Sequence, residues 1–450
     1  MKKMITAILL LLTGFTCDLS AQETKWTLEE CIAYALENNI GLQRQALQTE
    51  TAEVNFLKSK MDVLPNLNFG SDARVGFGRS IDPVTNLITF KQNLSNSYSL
   101  NSNILVFNGF ATLNTLSANR FMVKAGIEAE KVARNTLVVQ IMGQYYQVLY
   151  SKGLEEAAKM QLDLSEKQLF RISRMVETGK EAVARQYEIE SQVSGDRLTY
   201  TIAQNSASQA VTMLKQMLQL GPGASFDILL PDLHNILITD AGFDTDSIFE
   251  IASEVLPRLK AINYELRATA RQVAAARGTL APNLTVGGAV YTGYYKVISE
   301  DATDQESFSS QMKNNNSQAL YLSLNIPIFN NYSAGRNIRL AKIRKADTEL
   351  RLELERNKLY TDIEDACLSY NRGKEEYLAA EANLAFNKKS FSAVEKKFES
   401  GLVDVTDYSS AKTTLFSAET EALRTKLQLL IRKLTIQFYA TGEYSTLINN

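Results

Sequence analysis

Seven prolines, three cysteines, one histidine and one tryptophan in 450 residues leave this chain with few breakers and few of the residue types that build catalytic or metal sites. The prolines lie at 65, 83, 222, 231, 257, 282 and 327, so residues 84–221 and 328–450 contain none. Proline disrupts a helix interior, and such runs suit very long helices. His234 is alone in a connecting segment. Metal sites and nucleophilic triads need converging partners, so it reads as structural. Gly76-Phe77-Gly78 ends a strand pattern with no following helix to cradle a phosphate. An enzyme is therefore not expected, nor a cofactor or metal.

Long apolar runs are also missing. After the first residues no stretch approaches the roughly 18 to 20 apolar residues of a transmembrane helix, so membrane entry is open only to strands. The start itself reads as a secretory signal over residues 1–21: Lys2 and Lys3 precede the apolar run Met4 to Phe15, and Leu19-Ser20-Ala21 offers a small-residue cleavage site before Gln22. Gly14-Phe15-Thr16 is a poor approach to a lipidated Cys17, so cleavage after Ala21 is expected. The mature chain then carries 46 basic against 49 acidic side chains, a balance that points to no nucleic-acid partner. It keeps Cys31 and Cys367, which the repeat described below does not relate, and two buried free thiols are the plain reading.

What the chain does have is a duplication. Leu64-Pro65-Asn66-Leu67 and Ala281-Pro282-Asn283-Leu284 each open an alternating stretch after similar lead-ins, with Ala35 matching Ala252 and Leu42 matching Leu259 at an offset of 217. Downstream the offset is 222, pairing Asn103 to Asn108 with Asn325 to Asn330 and Glu177-Thr178-Gly179 with Glu399-Ser400-Gly401. Only the loop between the two strands changes length. The expected organisation is a helix over 22–64, two strands and a loop over 65–108, and a helical hairpin over 109–220. A connecting segment over 221–243 follows. The second copy then has a helix over 244–281, strands and loop over 282–330 and a hairpin over 331–440, before a tail over 441–450.

Within the hairpins, Leu162, Ser165, Leu169, Ile172 and Val176 step by three and four, as do Leu423, Leu427, Leu430, Leu434 and Phe438. Tyr377, Ala380, Leu384, Phe391, Val394 and Phe398 repeat the pattern. This spacing keeps one apolar seam on a partner helix, as in coiled coils. Gly179 and Gly401 interrupt the runs and place tips near 178–182 and 400–404, glycine being the residue that ends a helix in a left-handed conformation. Arms of about 40 residues would each reach roughly 60 Å.

The strands alternate. From Leu67 to Phe77 one face carries Leu, Phe, Ser, Ala, Val and Phe, and the other Asn, Gly, Asp, Arg and Gly. Leu284, Val286, Gly288 and Val290 match it, with returning strands through Tyr98 to Val106 and Leu320 to Ile328. Strands apolar on one face and small or polar on the other suit a membrane barrel with the apolar face on lipid. The connections Arg79 to Ser97 and Ser299 to Ser317 are long and polar, as exposed loops are, and the run Glu300, Asp301, Asp304 and Glu306 reads as a solvated loop. Four strands cannot close a barrel, because bacterial barrels need at least eight. Two copies or three would satisfy this. A secreted or periplasmic coiled-coil structural or adhesive protein with a soluble sheet is the alternative.

The informative polar residues lie at the tips. A carboxylate facing the axis of a cyclic oligomer is repeated once per subunit, attracting cations and repelling its copies. Asp404 and Asp407 are candidates at the second tip, against the plain reading of acids at a helix start. The position matching Asp407 in the first tip is Arg185, so one acid and one base stand at equivalent places and an ion pair closing the tips is expected as one arrangement.

Together these elements resemble the TolC-type family of bacterial outer membrane efflux factors across the mature chain. The resemblance rests on Trp26 to Asn39, the two Pro-Asn-Leu entries, the two Phe-Asn exits, and Phe398-Glu399-Ser400-Gly401 leading into Val403 to Asp407. It implies an α+β membrane protein, internally duplicated: a homotrimer whose transmembrane β-barrel, four strands per chain, continues into a long α-helical coiled-coil barrel in the periplasm. It implies a passive duct in outer membrane lipid, docked to a periplasmic adaptor and an inner membrane pump of the RND or ABC type, with type I secretion among the uses. Gly179, Lys180, Gly401 and Leu402 would meet the adaptor, and Asp407, Arg185 and Asp404 would form the periplasmic gate. Pro65, Pro282, Phe107, Asn108, Phe329 and Asn330 would turn the chain between helix and strand. Asp407 falls on the first of two entrance aspartates of some members, while Ser410 replaces the second. Arg185 replaces an acid, and Val403 a base, so those members' locking contacts do not carry over.

Overall fold

A computed structural model of the chain describes residues 25–81, 86–229, 243–298 and 306–442. The signal segment with Cys17, the loop acids Glu300, Asp301 and Asp304, and His234 lie outside the described residues. The first copy runs β1 (Lys25–Trp26), α1 (Leu28–Asn38), α2 (Ile40–Met61), β2 (Asn66–Gly76), β3 (Ser80–Ile81), β4 (Ile88–Thr89), β5 (Gln92–Phe107), α3 (Ala111–Glu177) and α4 (Val183–Met217). The second runs β6 (Asp227–Ile228), α5 (Thr245–Val255), α6 (Pro257–Gly278), β7 (Asn283–Ile298), α7 (Phe308–Asn314), β8 (Ser317–Asn325), α8 (Ser333–Glu399) and α9 (Val405–Thr441).

The duplication reaches the backbone. Thr27 caps α1 in a capping box with Glu30, and its repeat partner Asp244 caps α5 by accepting from Ser247 N. The lead-in expected as one helix is two in each copy, broken at the matching residues Asn39 and Leu256, both in extended backbone. At Leu256 the cause is Pro257, which disfavours helix in the residue before it. Asn39 reaches the same break by lending its Oδ1 to Leu42 N at 3.2 Å, so it caps the helix that follows.

Two compact units emerge. Among the described residues the first comprises 25–44, 131–229, 243–257 and 356–442, and the second 45–81, 86–130, 258–298 and 306–355. In the first unit α1, α3, α4, β6 and α9 bury Cys31, Ile141, Val148, Leu214, Ile228 and Leu427 together, with Leu423, Leu430, Leu434 and Phe438 against them. β6 pairs with β1 in parallel, so part of the connecting segment is a strand. A second core joins Leu162, Ile172, Ile189, Val193, Phe391, Phe398, Val405 and Tyr408. The seam positions of both hairpins thus meet.

In the second unit β2, β5, β7 and β8 form one antiparallel sheet in that order. Its register puts Phe69, Leu100 and Val290 in one row and Ser102, Gly288 and Leu320 in another. The alternating sets therefore share one face. That face is open: Leu67 and Phe69 are 70% exposed, Leu322 68% and Leu320 92%. The outer strands β2 and β8 each have one paired side among the described residues.

Three expectations need correction. The arms are unequal: α3 and α8 have 67 residues each, roughly 100 Å at 1.5 Å per residue. No breaker separates the strand exit from the tip, so exit helix and hairpin arm fuse. The returning strand of the second copy stops at Asn325 instead of reaching Ile328, because Pro327 has no N–H for a ladder. Finally, the polar stretch Gln92–Ser97 is strand, since backbone pairing with β2 and β7 is indifferent to its Asn and Ser side chains. In the other loop Phe308–Asn314 forms a short helix whose Gln311 bonds both N and O of Tyr295 at 2.9 and 3.0 Å, occupying β7 beyond the end of β8.

Candidate functional site at the helical tips

Both tips turn in the same way. Gly179 and Gly401 have φ of +73° and +72°, left-handed backbone that side chains avoid, and nothing stands within 4 Å of where a Cβ would be. Lys180 N donates to Met175 O at 2.8 Å and Leu402 N to Lys397 O at 2.9 Å. Gly179 N and Gly401 N donate to Val176 O and Phe398 O at 2.9 and 3.1 Å. These are paired Schellman closures, which satisfy carbonyls that a helix end leaves free. Lys180, Gly401 and Leu402 are exposed.

The outgoing helices differ. Asp404 caps α9, its Oδ1 accepting from Asp407 N at 2.8 Å. Ala182 stands at the same place before α4 and makes no side-chain cap. Asp404 thus has a structural task, and Asp407, in the first turn of α9, is exposed. Arg185 lies across to the second tip without meeting Asp407. Its Nη2 donates to Val403 O at 3.5 Å, its guanidinium stands 5.2 Å from the centre of the Phe398 ring, and its ion pair is with Glu181 at 3.3 Å. Among the described residues no ion pair joins Arg185 to Asp407. Phe398 stacks on Tyr408 at 4.5 Å, and burial pushes the Tyr408 hydroxyl up from its ordinary pKa.

Below the tips lies a buried polar group of which the sequence reading named only Ser165, as a seam position. Lys412 on α9 and Asp196 on α4 are each 3% exposed and bonded at 2.5 Å. Lys412 also donates to Ser165 on α3, which itself donates to Asp196. Burial lowers the Lys412 pKa against the raising effect of Asp196. The signal was present: Asp196 continues the seam Ile189, Val193, and Lys412 falls between the seam residues Tyr408 and Leu415, so each charge occupies a core position. Beside this group is a polar groove of about 760 Å³, with Ser191, Thr406, Ser410, Thr413 and Ser417 in its wall.

The junction residues sit in the second unit. Pro65 and Pro282 immediately precede β2 and β7. Asn108 O accepts from Ala111 N at 3.2 Å, and Asn330 O from Ser333 N at 2.9 Å. After each comes a pair of residues with positive φ, Gly109-Phe110 and Asn331-Tyr332. Gly109 is needed twice over, since a Cβ there would meet Gly278 O at 2.5 Å. Phe107 packs edge-on to Phe110 at 5.4 Å, while Phe329 is exposed.

Among the described residues no helix is long and apolar enough to cross a membrane, and no group of three or more His, Cys, Asp or Glu is placed to hold a metal ion.

A duplicated chain of helix, strand pair and long hairpin, with one four-stranded sheet, is the fold of the outer membrane channels. The crystal structure of the CmeC outer membrane channel of Campylobacter jejuni is similar with a TM-score of 0.79 at 15% identity, covering 94% of this chain and 88% of that one. The MtrE outer membrane channel of Neisseria gonorrhoeae, in a structure of its open state, gives 0.73 at 17% identity, covering 93% and 89%. The family model for outer membrane efflux proteins matches residues 31–219 and 251–442, so the chain belongs to the outer membrane efflux protein family. A further relative, the probable outer membrane lipoprotein SilC of Salmonella typhimurium, is 21% identical over 418 residues, which is 89% of this chain and 84% of that protein. The protein resides in the outer membrane and serves as the exit duct of an efflux system.

Proposed function

We propose that three copies of this chain close a twelve-stranded barrel through which substrates leave passively. A periplasmic adaptor and an inner membrane pump of the RND or ABC type work at its other end. The observation that carries this is the sheet: four strands, two edges open among the described residues, and one exposed apolar face. In lipid an unpaired edge leaves backbone groups with no partner, so the edges of β2 and β8 must find one another across subunits. Exposed Phe77 and Phe90 near one end of the strands, and Phe110, Phe329 and Tyr332 near the other, fit the two aromatic girdles of a barrel.

The hairpin tips then form the periplasmic entrance. Asp407 lines it when closed, and Arg185 restrains it by holding Val403 and Phe398 of the second tip. Gly179, Lys180, Gly401 and Leu402 present the surface that meets the adaptor, and the strand–helix turns at Pro65, Pro282, Phe107, Asn108, Phe329 and Asn330 mark the passage from barrel to tube. The non-enzymatic reading follows from the same design, in which the pump supplies the energy.

The assembly is tested by detergent extraction of outer membranes: oligomers that resist heating support it, and recovery as a soluble monomer contradicts it. The gate is tested in planar bilayers with Asp407→Ala and Arg185→Ala proteins. Larger conductance and weaker cation block are expected, and no change in either variant removes the assignment.

A further inference from the structure

The two copies of the strand pair share one register. Asn66 opposite Asn103 and Phe69 opposite Leu100 become Asn283 opposite Asn325 and Val286 opposite Leu322, at offsets of 217 and 222. The copies meet where β5 lies on β7, with Leu100 opposite Val290 and Asn101 opposite Ala289. The repeat equivalent of that boundary joins β8 to β2, which β5 and β7 hold apart within one chain. It can form only with another copy.

The backbone is directed for it. Asn103 N donates towards β2, to Asn66 Oδ1 at 2.8 Å, and Tyr295 N points away from β5, to Gln311 of α7. Backbone groups alternate sides along a strand, so even residues of β5 and β7 bond across their boundary. The same alternation turns Ser71, Ala73 and Val75 of β2, and Leu320, Leu322 and Leu324 of β8, to the free edges. Pro327 has the direction of Asn325, so its missing N–H faces β7 and leaves the outer edge of β8 intact.

We infer that subunits join in the register of the β5–β7 boundary, with Leu322 bonded opposite Ala73 of the partner subunit. Ser323 then stands opposite Asp72 of the partner subunit, and Tyr321 opposite Arg74 of the partner subunit. Stagger supports this. Crossing from Gly70 through Ser99 to Tyr291, the match of Arg74, advances four residues, and the seam carries the line through Ser317 to Gly78 of the partner subunit, four more. Tilt and stagger are linked in a barrel, so equal steps give the strands one tilt. Asp72 and Arg74 are the charged residues of the polar face among the described strands, so charge inside the barrel gathers at the seams. There a tyrosine ring meets the guanidinium and a hydroxyl meets the carboxylate. A slip of two residues would instead set Arg74 against Ala319 or Ser323.

The inference rests on the proposed barrel, and its test separates the two. Opposed residues that do not bond across a boundary stand about 4.5 Å apart at Cα, within reach of a disulfide, whereas diagonal neighbours at about 7–8 Å are beyond it. Ser323→Cys is combined with Asp72→Cys, Gly70→Cys or Arg74→Cys in the full-length protein. Outer membranes are oxidised mildly and run on denaturing gels without reductant. A covalent ladder, removed by dithiothreitol, is expected with Asp72→Cys and its loss with the other two. Tyr321→Cys with Arg74→Cys keeps the same register and must also link, which serves should Asp72→Cys not assemble. Linking strongest with Gly70→Cys, or with Arg74→Cys beside Ser323→Cys, overturns the register. A heat-resistant oligomer that links in none of them also overturns it and leaves the barrel standing. Recovery as a soluble monomer overturns the barrel reading, and the seam with it.

Discussion

The two hairpin tips close with the same backbone and start again with different chemistry. Gly179 and Gly401 adopt the same left-handed turn with the same pair of hydrogen bonds. Three residues on, Ala182 offers α4 no cap while Asp404 caps α9, and beyond them Arg185 stands where Asp407 does. Duplication thus preserved the turn and released the side chains around it. The released positions carry the charge asymmetry, in half-buried Arg185 and exposed Asp407 near the tips and in the interior in Asp196 and Lys412.

Four experiments sharpen or break that comparison. The largest effect is expected from Lys412→Met, which leaves Asp196 buried without its partner and should cost about 3–5 kcal/mol. The double variant Lys412→Met, Asp196→Leu should recover most of it, measured by the denaturant midpoint of the detergent-solubilised protein. Single and double variants of equal stability would show that the pair is not coupled.

Next, alanine at Gly179 or Gly401 places a Cβ in left-handed backbone, a penalty of roughly 1–2 kcal/mol. Equal losses are expected at the two tips, because neither Cβ meets a neighbour. A loss at one tip alone would mean that the turns are not energetically equivalent.

Capping comes third. Asp404→Ala should cost about 1 kcal/mol, and Ala182→Asp should return a similar amount at the other tip. No gain from Ala182→Asp would show that this helix start satisfies its N–H groups in another way.

The smallest effect concerns Cys31, completely buried beside Tyr145 and pushed up to about 12 by burial, with Glu30 and Glu29 adding to it. The native thiol should resist a maleimide at neutral pH and react once the chain is denatured. Because the folded pKa lies above the unfolded one, its contribution to stability is present below about pH 9 and declines as pH rises toward 12. Rapid labelling of native protein would show that the α1 core is open.

Much of this was legible. The seam residues Leu162, Ile172, Phe391 and Phe398 reached the core, because a three-four spacing on helices without proline admits one buried face. The strand faces were legible through alternation, and the register put Phe69 beside Leu100 and Val290 as that alternation requires. The ends were less so. Ile326 and Ile328 look like strand from their side chains, but Pro327 denies the backbone its donor, and Gln92–Ser97 looks like loop although neighbours on both sides pair with it. At the site, Asp404 and Asp407 look alike in sequence, and only the direction of the chain at the turn makes one a cap and leaves the other exposed.

The sequence alone determined the duplication, the two glycine turns and the apolar face of the strands. These depend on local backbone preference and on periodicity, which act over a few residues. Tertiary structure decided which charges meet. Lys412 and Asp196 are 216 residues apart in the chain and are joined because α9 packs on α3 and α4. Arg185 finds Val403 and the Phe398 ring, 218 residues from the former, instead of its repeat counterpart Asp407. Pairing of charges over such separations is set by which helix faces pack together, and a seam pattern identifies the face without naming its partner.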